Sequence, residues 1–275
     1  MMKRFVAIAF LLGSSIVSAF AQAAPTLEKV DLSAAEIDRI VKGFTANESK
    51  FRAALNVYVF SRSAAISTVG MGGQITGTYR RDSFIGFNPD GSRAERIDFA
   101  PIPTLTEVTI TAADLDNLNG LDPFAIEPKN VDKYNFAFVG KEKIDELNLF
   151  VFDVTPKVMP EAKKNGLQLF QGRIWVDDHD LLIVKSKGKA VPEWKNERFP
   201  VIETWRENVD GKYWFPSYST SDDELVFDNG NVVKMKVRVK YKNYALGKTS
   251  VKAVGEDEDV PAEKKPAAPP PAKKP

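Results

Sequence analysis

The chain has 275 residues and a formal net charge of +1, from 38 basic and 37 acidic side chains. So neutral a chain has no global electrostatic attraction for nucleic acid or anionic membranes, and we expect no nucleic-acid partner. It contains no cysteine, which excludes disulfides, thiolate metal ligands, cysteine nucleophiles and a lipid attached to an N-terminal cysteine.

The N-terminal segment has the three parts of a cleavable export signal. Lys3 and Arg4 carry positive charge, residues 5–17 are mostly apolar, and Ala21-Gln22-Ala23 matches a small-x-small cleavage site. Cleavage after Ala21 is an alternative. The apolar run is too short to cross a bilayer, so we expect it to be removed rather than to act as a stable membrane anchor. A periplasmic location is therefore predicted.

One amphipathic helix is predicted at the start of the folded part. Ser33 and Glu36 form a capping box, and apolar residues then recur at helical spacing. These are Ile37, Ile40, Val41, Phe44 and Phe51. We predict a helix over residues 34–55, with Gly43 as a weak point because glycine disfavours helices.

From residue 56 the apolar residues alternate with the period of a β-strand. Turn sequences such as Asn88-Pro89-Asp90-Gly91 separate runs rich in Phe, Val, Ile, Tyr and Trp. Strands joined by tight turns are antiparallel, so we predict a mainly β (α+β) fold with one large, strongly curved antiparallel sheet. Eleven strands are predicted, over residues 56–68, 73–87, 92–99, 106–111, 133–140, 147–156, 168–177, 180–188, 200–208, 212–221 and 232–244.

A short helical segment is predicted to interrupt the strands. Thr111 can cap a helix over residues 112–118, and apolar residues continue beyond it. We predict that this segment covers the concave face of the sheet. Its apolar residues are Leu115, Leu118, Leu121 and Phe124.

The last predicted strand has a basic face. Its apolar residues alternate with five cations, Lys234, Lys236, Arg238, Lys240 and Lys242. Such a strip could bind an anionic partner. Alternatively, it keeps an edge or outer strand soluble and prevents edge pairing. The second interpretation is favoured.

Two hairpins in the middle of the chain carry a further pattern. The first spans residues 134–157, and the second contains Gly172-Arg173-Ile174-Trp175-Val176-Asp177, a Gly-x-x-Trp-x-Asp signature, followed by residues 181–185. Together they resemble the LolA-like outer-membrane lipoprotein-sorting superfamily, most clearly over residues 134–244. The resemblance implies a half-open β-barrel (of LolA, LolB or RseB type) with a hydrophobic binding cavity. It implies ligand binding and not catalysis of a reaction. Members include carriers of lipoprotein acyl chains, outer-membrane receptors and periplasmic sensors.

The strand aromatics could fill a closed core or line such a cavity, and the resemblance favours the cavity. The predicted lining is Phe84, Tyr134, Phe136, Phe138, Phe150, Phe152, Ile174, Leu182, Met235 and Val237. The strands at 147–156 and 180–188 are apolar on both faces. This pattern is expected when one face of the strands packs against the N-terminal helix and the other faces a hollow that accepts lipid.

Candidate chemical groups are few. His179, the single histidine, lies in Asp177-Asp178-His179-Asp180, which could bind a divalent cation but is typical of a hairpin turn. Paired carboxylates for sugar chemistry could include Glu203 or residues 222–224, although surface acids are common on strands. We expect no enzyme, no metal and no cofactor.

Three regions are predicted: a signal peptide over residues 1–23, a half-barrel domain over 25–255, and a disordered acidic, then Pro-, Lys- and Ala-rich tail over 256–275. The predicted function is a monomeric periplasmic carrier or chaperone for a lipoprotein acyl chain or another envelope lipid, as in outer-membrane lipoprotein sorting. The alternative is a sensor or interaction module that binds an envelope membrane protein without cargo.

Overall fold

The computed structural model describes residues 27–110, 114, 126–161, 168–193 and 197–247. The predicted signal peptide, the tail and the four apolar residues of the predicted cover segment (Leu115, Leu118, Leu121 and Phe124) lie outside these ranges, so they stay predictions. The described part contains one long α-helix, α1 (Ala34–Leu55), and a short 3₁₀ helix (Pro128–Lys133).

Ten antiparallel strands form one sheet, as the sequence predicted in outline. They are β1 (Tyr58–Val69), β2 (Ile75–Phe87), β3 (Arg93–Phe99), β4 (Tyr134–Ile144), β5 (Leu147–Pro156), β6 (Leu169–Asp177), β7 (Ile183–Val191), β8 (Ile202–Val209), β9 (Tyr213–Val226) and β10 (Val232–Leu246). Their order across the sheet is β3-β2-β1-β10-β9-β8-β7-β6-β5-β4. Because β3 and β4 are not paired with each other, the sheet is open, which is consistent with a half-barrel.

The helix begins where the sequence predicts it. The Ser33 hydroxyl accepts a hydrogen bond from the Glu36 backbone N–H at 3.3 Å, and the Glu36 carboxylate accepts one from the Ser33 N–H at 2.9 Å. These reciprocal bonds satisfy N–H groups that have no partner within the helix. They therefore fix the first turn of α1 at its predicted position.

Helix α1 lies in the concave face and contacts both halves of the sheet. Near its start, Ile40, Val41 and Phe44 join a cluster with side chains of β4 to β7. Near its end, Phe51 and Leu55 join a second cluster with side chains of β1, β2, β9 and β10. Burying each large apolar side chain contributes about 1.5–3 kcal/mol, so the helix links the two halves of the fold.

Gly43 is a contact point rather than only a weak point in the helix. A Cβ atom at this position would lie 2.4 Å from Cδ1 of Leu181, in the turn between β6 and β7. One turn along the helix, the Asn47 amide donates hydrogen bonds to the backbone carbonyls of Asp180 and Leu181 at 2.9 and 3.0 Å. The glycine therefore allows the helix to approach this turn closely.

Three arginines attach the edge strand β3 to the rest of the fold. The Arg93 guanidinium donates to the backbone carbonyls of Leu55 and Tyr58, at the end of α1 and the start of β1. Glu95 accepts hydrogen bonds from the fully buried Arg62 of β1 and from Arg81 of β2. These contacts hold β3 against the end of the helix.

The predicted strand at 106–111 is wrong, because residues 106–110 are irregular. After β3, the Thr104 N–H still donates to the Thr78 carbonyl of β2 at 2.8 Å. The chain also passes close to Gly77 of β2, where a Cβ atom would lie 2.7 Å from the Thr104 carbonyl oxygen. Pro101 and Pro103 have no N–H to donate to β2. The regular pairing of this part of the chain with β2 therefore ends with β3.

The basic face of β10 is present, but the strand is not at an edge. It lies between β1 and β9 in the middle of the sheet, so of the predicted edge or outer strand, the edge alternative is wrong. Lys234 pairs with Glu224 at 2.8 Å and Lys236 with Asp222 at 3.8 Å, both across to β9. These cations therefore lie beside acids on the convex face, and anionic binding by the strip stays untested.

Candidate ligand cavity

A cavity of about 790 Å³ lies in the concave face, between the sheet and helix α1. Its apolar wall comes from β1 and from β6 to β10. The large apolar side chains of these strands are Ile66, Phe170, Ile174, Ile183, Ile202, Leu225, Val233, Met235, Val237, Val239 and Tyr241. Gly188 and Ala190 of β7 also line it, and such small residues leave open space.

Loops form the rim of the cavity. Residues 107–110, 197–200 and parts of the β9–β10 turn contribute to it, together with Asp114 and Ile126. The Thr68 hydroxyl of β1 donates to the Glu107 carboxylate at 3.0 Å and holds the 107–110 segment against the sheet. Hydrogen bonds from Thr76 and Thr68 lower the pKa of Glu107 to about 2, so this carboxylate is ionised at neutral pH.

A buried ion pair lies on the wall where α1 meets β8. The Arg206 guanidinium donates to both carboxylate oxygens of Glu48, at 2.6 and 3.1 Å, and both side chains are at most 3% exposed. Arg206 also donates to the Ile183 carbonyl and lies 4.2 Å from the centre of the Phe51 ring. Such a pair is stable only when both partners are present.

The sequence analysis missed this ion pair. Glu48 lies four residues after Phe44 on the apolar face of α1, and this break in the pattern was the one available signal. Its partner is 158 residues away. Only the folded sheet brings the two side chains together.

Three of the predicted site residues line the cavity: Ile174, Met235 and Val237. Five others, Tyr134, Phe136, Phe138, Phe150 and Phe152, belong to the packed cluster under the first half of α1. The Phe44 ring centre lies 5.6 Å from that of Phe136 and 5.9 Å from that of Phe152. The helix thus occupies the half of the concave face where these aromatics lie.

The remaining two predicted residues are outside the cavity lining. Phe84 is half-buried and lies beneath the Arg96 guanidinium, 5.1 Å from ring centre to Cζ, on the opposite face of β2 from the buried Ser83 and Ile85. Leu182 is half-buried in the turn before β7. The structure therefore places the open space at β6 to β10, with cavity residues such as Ile66 and Ile202 that the sequence analysis did not single out.

The second apolar face of β5 does not line a hollow. Leu149 and Val151 are fully buried in a small cluster with Trp175 and Val184, against which Trp214 packs. The expectation of a lipid-accepting space on that face is wrong, because large side chains of β6, β7 and β9 fill it.

The segment around His179 is a turn, as predicted. The Leu181 N–H donates to the Asp177 carbonyl, and the Asp180 N–H donates to the Asp177 carboxylate. His179 is 88% exposed, and its Nδ1 lies 2.7 Å from an Asp180 oxygen. The hydrogen bond and charge of Asp180 raise the pKa of His179. Ligand atoms of Asp177, His179 and Asp180 lie within 4.8 Å of one another, but such exposed acidic groups are common without an ion.

Three of the four acids considered for sugar chemistry face away from the cavity. The fourth, Asp223, is on the same face of β9 as Leu225, where it accepts a hydrogen bond from the Val201 N–H at 2.7 Å and is not among the cavity-lining residues. Glu203 lies on the convex face, where it accepts from the Trp205 indole at 3.1 Å and pairs with Lys185 at 3.2 Å. Asp222 and Glu224 are the convex-face partners of the β10 lysines. None of these three carboxylates lines the cavity.

No described helix combines the length and the apolar character that a membrane-spanning helix requires.

No protein-family model and no curated protein matches the chain. Among solved structures, it is similar to a DUF1329 family protein from Desulfovibrio piger, with 15% identity, a TM-score of 0.36, and coverage of 78% of this chain and 93% of that chain. A LolA superfamily protein from Nitrosomonas europaea has 15% identity, a TM-score of 0.34, and coverage of 79% and 95%. MucB in complex with MucA(peri) has 12% identity, a TM-score of 0.21, and coverage of 72% and 94%. The superfamily that the sequence resembles is thus represented among these structures.

Proposed function

We propose that this protein binds a hydrophobic ligand, such as a lipoprotein acyl chain or another envelope lipid, and catalyses no reaction. The observation that carries the proposal is the cavity of about 790 Å³ with apolar walls from six strands. Its volume lies within the range of about 300–1,000 Å³ that is typical of ligand pockets. Transfer of an alkyl chain into such a space contributes about 0.8 kcal/mol per buried CH₂ group.

The packing of the concave face supports binding rather than a purely structural core. Helix α1 fills the half over β4 and β5 with Ile40, Val41 and Phe44. Over β7 to β10 the wall side chains instead line the cavity, as far as the described residues define it. A concave, mostly apolar space of this size is the usual form of a ligand site, which supports an occupant of matching chemistry.

We place this activity in the periplasm, after removal of the predicted signal peptide. The corresponding role is that of a monomeric carrier or chaperone in an envelope pathway such as outer-membrane lipoprotein sorting. The support is the export-signal pattern of residues 1–23, which also leads us to expect no stable membrane anchor.

Ligand content tests the proposal directly. The full-length chain should be expressed with its own N-terminus, purified from the periplasmic fraction, and its organic extract analysed by mass spectrometry. We expect a co-purifying lipid and saturable binding of a fluorescent fatty-acyl probe after delipidation. A protein that carries no lipid and does not bind the probe would contradict the proposal.

A second function, a module that binds an envelope membrane protein, is favoured by one surface feature. Apolar side chains are exposed at one end of the sheet: Met71 in the β1–β2 turn, Ile75 of β2, and Val226 and Val232 beside the β9–β10 turn. Changing Met71 and Ile75 to Ser should abolish cross-linking to a membrane-protein partner and leave probe binding intact. If cross-linking is unchanged, this surface is not the interface.

A further inference from the structure

We infer that the cavity recognises the carbonyl oxygen of a neutral ester- or amide-linked acyl lipid, rather than a bare hydrocarbon or a free fatty acid. The inference rests on the proposed function and specifies the chemical class of the ligand. It comes from a row of hydroxyl groups in the mostly apolar wall and from the charges around that row.

The hydroxyl row consists of Ser186, Thr204 and Ser219, one from each of the adjacent strands β7, β8 and β9. Ser186 is directly opposite Thr204, and Thr204 is directly opposite Ser219. All three line the cavity. The same row continues into apolar residues on both sides, Ile174 opposite Ser186 and Val239 opposite Ser219. Three consecutive hydroxyls therefore form a polar band across an apolar floor.

The hydroxyl band has a hydrogen-bond donor that is not used within the band. The Thr204 and Ser219 hydroxyl oxygens lie 2.9 Å apart and share one hydrogen bond. Since each hydroxyl has one donor and two acceptor lone pairs, one donor of this pair remains for a ligand. Donors that face an apolar cavity suit a ligand oxygen that accepts hydrogen bonds.

The charges near the band favour a neutral acceptor over an anion. Three cations line the described part of the cavity, and each is paired: Lys189 with Glu193, Arg198 with Asp228, and Arg206 with Glu48. Three further lining residues are acidic, Glu107, Asp114 and Glu197. A carboxylate or phosphate in the cavity would lose its hydration without gaining an unpaired cation. A carbonyl oxygen of an ester or amide carries no such penalty.

A set of ligands with the same alkyl chain tests this class. Displacement of a fluorescent acyl probe from the purified protein should be measured with hexadecane, palmitate, methyl palmitate and monopalmitoylglycerol. We expect the two esters to displace the probe at the lowest concentrations. Tighter binding of palmitate or of hexadecane than of the esters would overturn the inference.

A triple variant, Ser186→Ala, Thr204→Val and Ser219→Ala, tests the residues. Loss of one or two hydrogen bonds should weaken ester binding about tenfold, with hexadecane binding unchanged or stronger. Thr220→Val is the matched control, because this neighbour of Ser219 points to the convex face, and it should bind the esters like the wild type. If the triple variant has a lowered melting temperature, Thr204→Val should be tested alone, because it keeps the side-chain shape. Its affinity for the esters should fall by less than that of the triple variant.

The outcomes separate the two proposals. A triple variant that binds esters with wild-type affinity would overturn the inference and leave the proposed function standing. A wild-type protein that binds neither the probe nor any of the four ligands would refute the proposed function itself.

Discussion

Removal of one partner of the buried Glu48–Arg206 pair should destabilise the fold strongly. In Arg206→Met the Glu48 carboxylate stays at a site where it is 2% exposed, without the two hydrogen bonds at 2.6 and 3.1 Å that balance its charge. Breaking a buried pair in this way costs about 3–5 kcal/mol of unfolding free energy. For a domain of this size the melting temperature should fall by about 6–20 °C.

The double variant provides the decisive comparison. Glu48→Leu with Arg206→Met removes both charges, and apolar replacements of a buried pair are often neutral or stabilising. The double variant should therefore be more stable than Arg206→Met alone, as measured by urea unfolding of all members of the mutant cycle. Lys234→Met is the control, because its pair with Glu224 is about half exposed and should contribute little to stability.

Two results would refute this account of the pair. One is a loss below about 1 kcal/mol in Arg206→Met, which would mean that Glu48 finds water or another partner. The other is a double variant less stable than either single variant, which would mean that the pair stabilises α1 on β8 beyond the cost of its own burial.

The remaining predictions concern the cavity, the helix and the β6–β7 turn. Ile202→Trp should narrow the cavity at β8 and weaken probe binding at least about tenfold, while the unfolding free energy changes by less than about 3 kcal/mol; unchanged binding would show that the probe lies elsewhere. Phe44→Ala should lower the unfolding free energy by about 3–5 kcal/mol because it empties a fully buried site, and a loss below about 1 kcal/mol in urea unfolding would contradict the packing of α1. In an NMR titration His179 should show a pKa above its usual range, and Asp180→Asn should lower it; no change in this variant would mean that the hydrogen bond does not form in solution.

Local patterns in the sequence were sufficient for most of the secondary structure. The Ser33–Glu36 capping box located the start of α1, and the period-two alternation located the ten observed strands. The strand predicted at 106–111 is not formed at residues 106–110. Apolar and polar residues can alternate along an irregular segment that lines a cavity, so the alternation alone does not show that the segment pairs with a strand. The central place of β10 depends on its pairing with β1, a contact between distant parts of the chain that no local pattern encodes.

The site was harder to predict than the fold. An aromatic such as Phe152 has the same sequence signal whether it packs under a helix or lines a hollow, and here it packs against α1 at 0% exposure. Because the first half of the helix lies over β4 and β5, the side chains of these two strands pack against it and do not line the cavity. That position depends on tertiary contacts such as Asn47 with the β6–β7 turn and Glu48 with Arg206.

Photolabelling with a diazirine-bearing acyl ester would test most directly whether a lipid occupies the concave face over β6 to β10. The labelled protein should be digested and the modified peptides mapped by mass spectrometry, with unlabelled ester as competitor. We expect saturable labelling in β8 and β10, at residues such as Ile202 and Met235, which line the cavity. Labelling confined to the convex face, for example at Phe84, or labelling that the competitor does not reduce, would contradict the account.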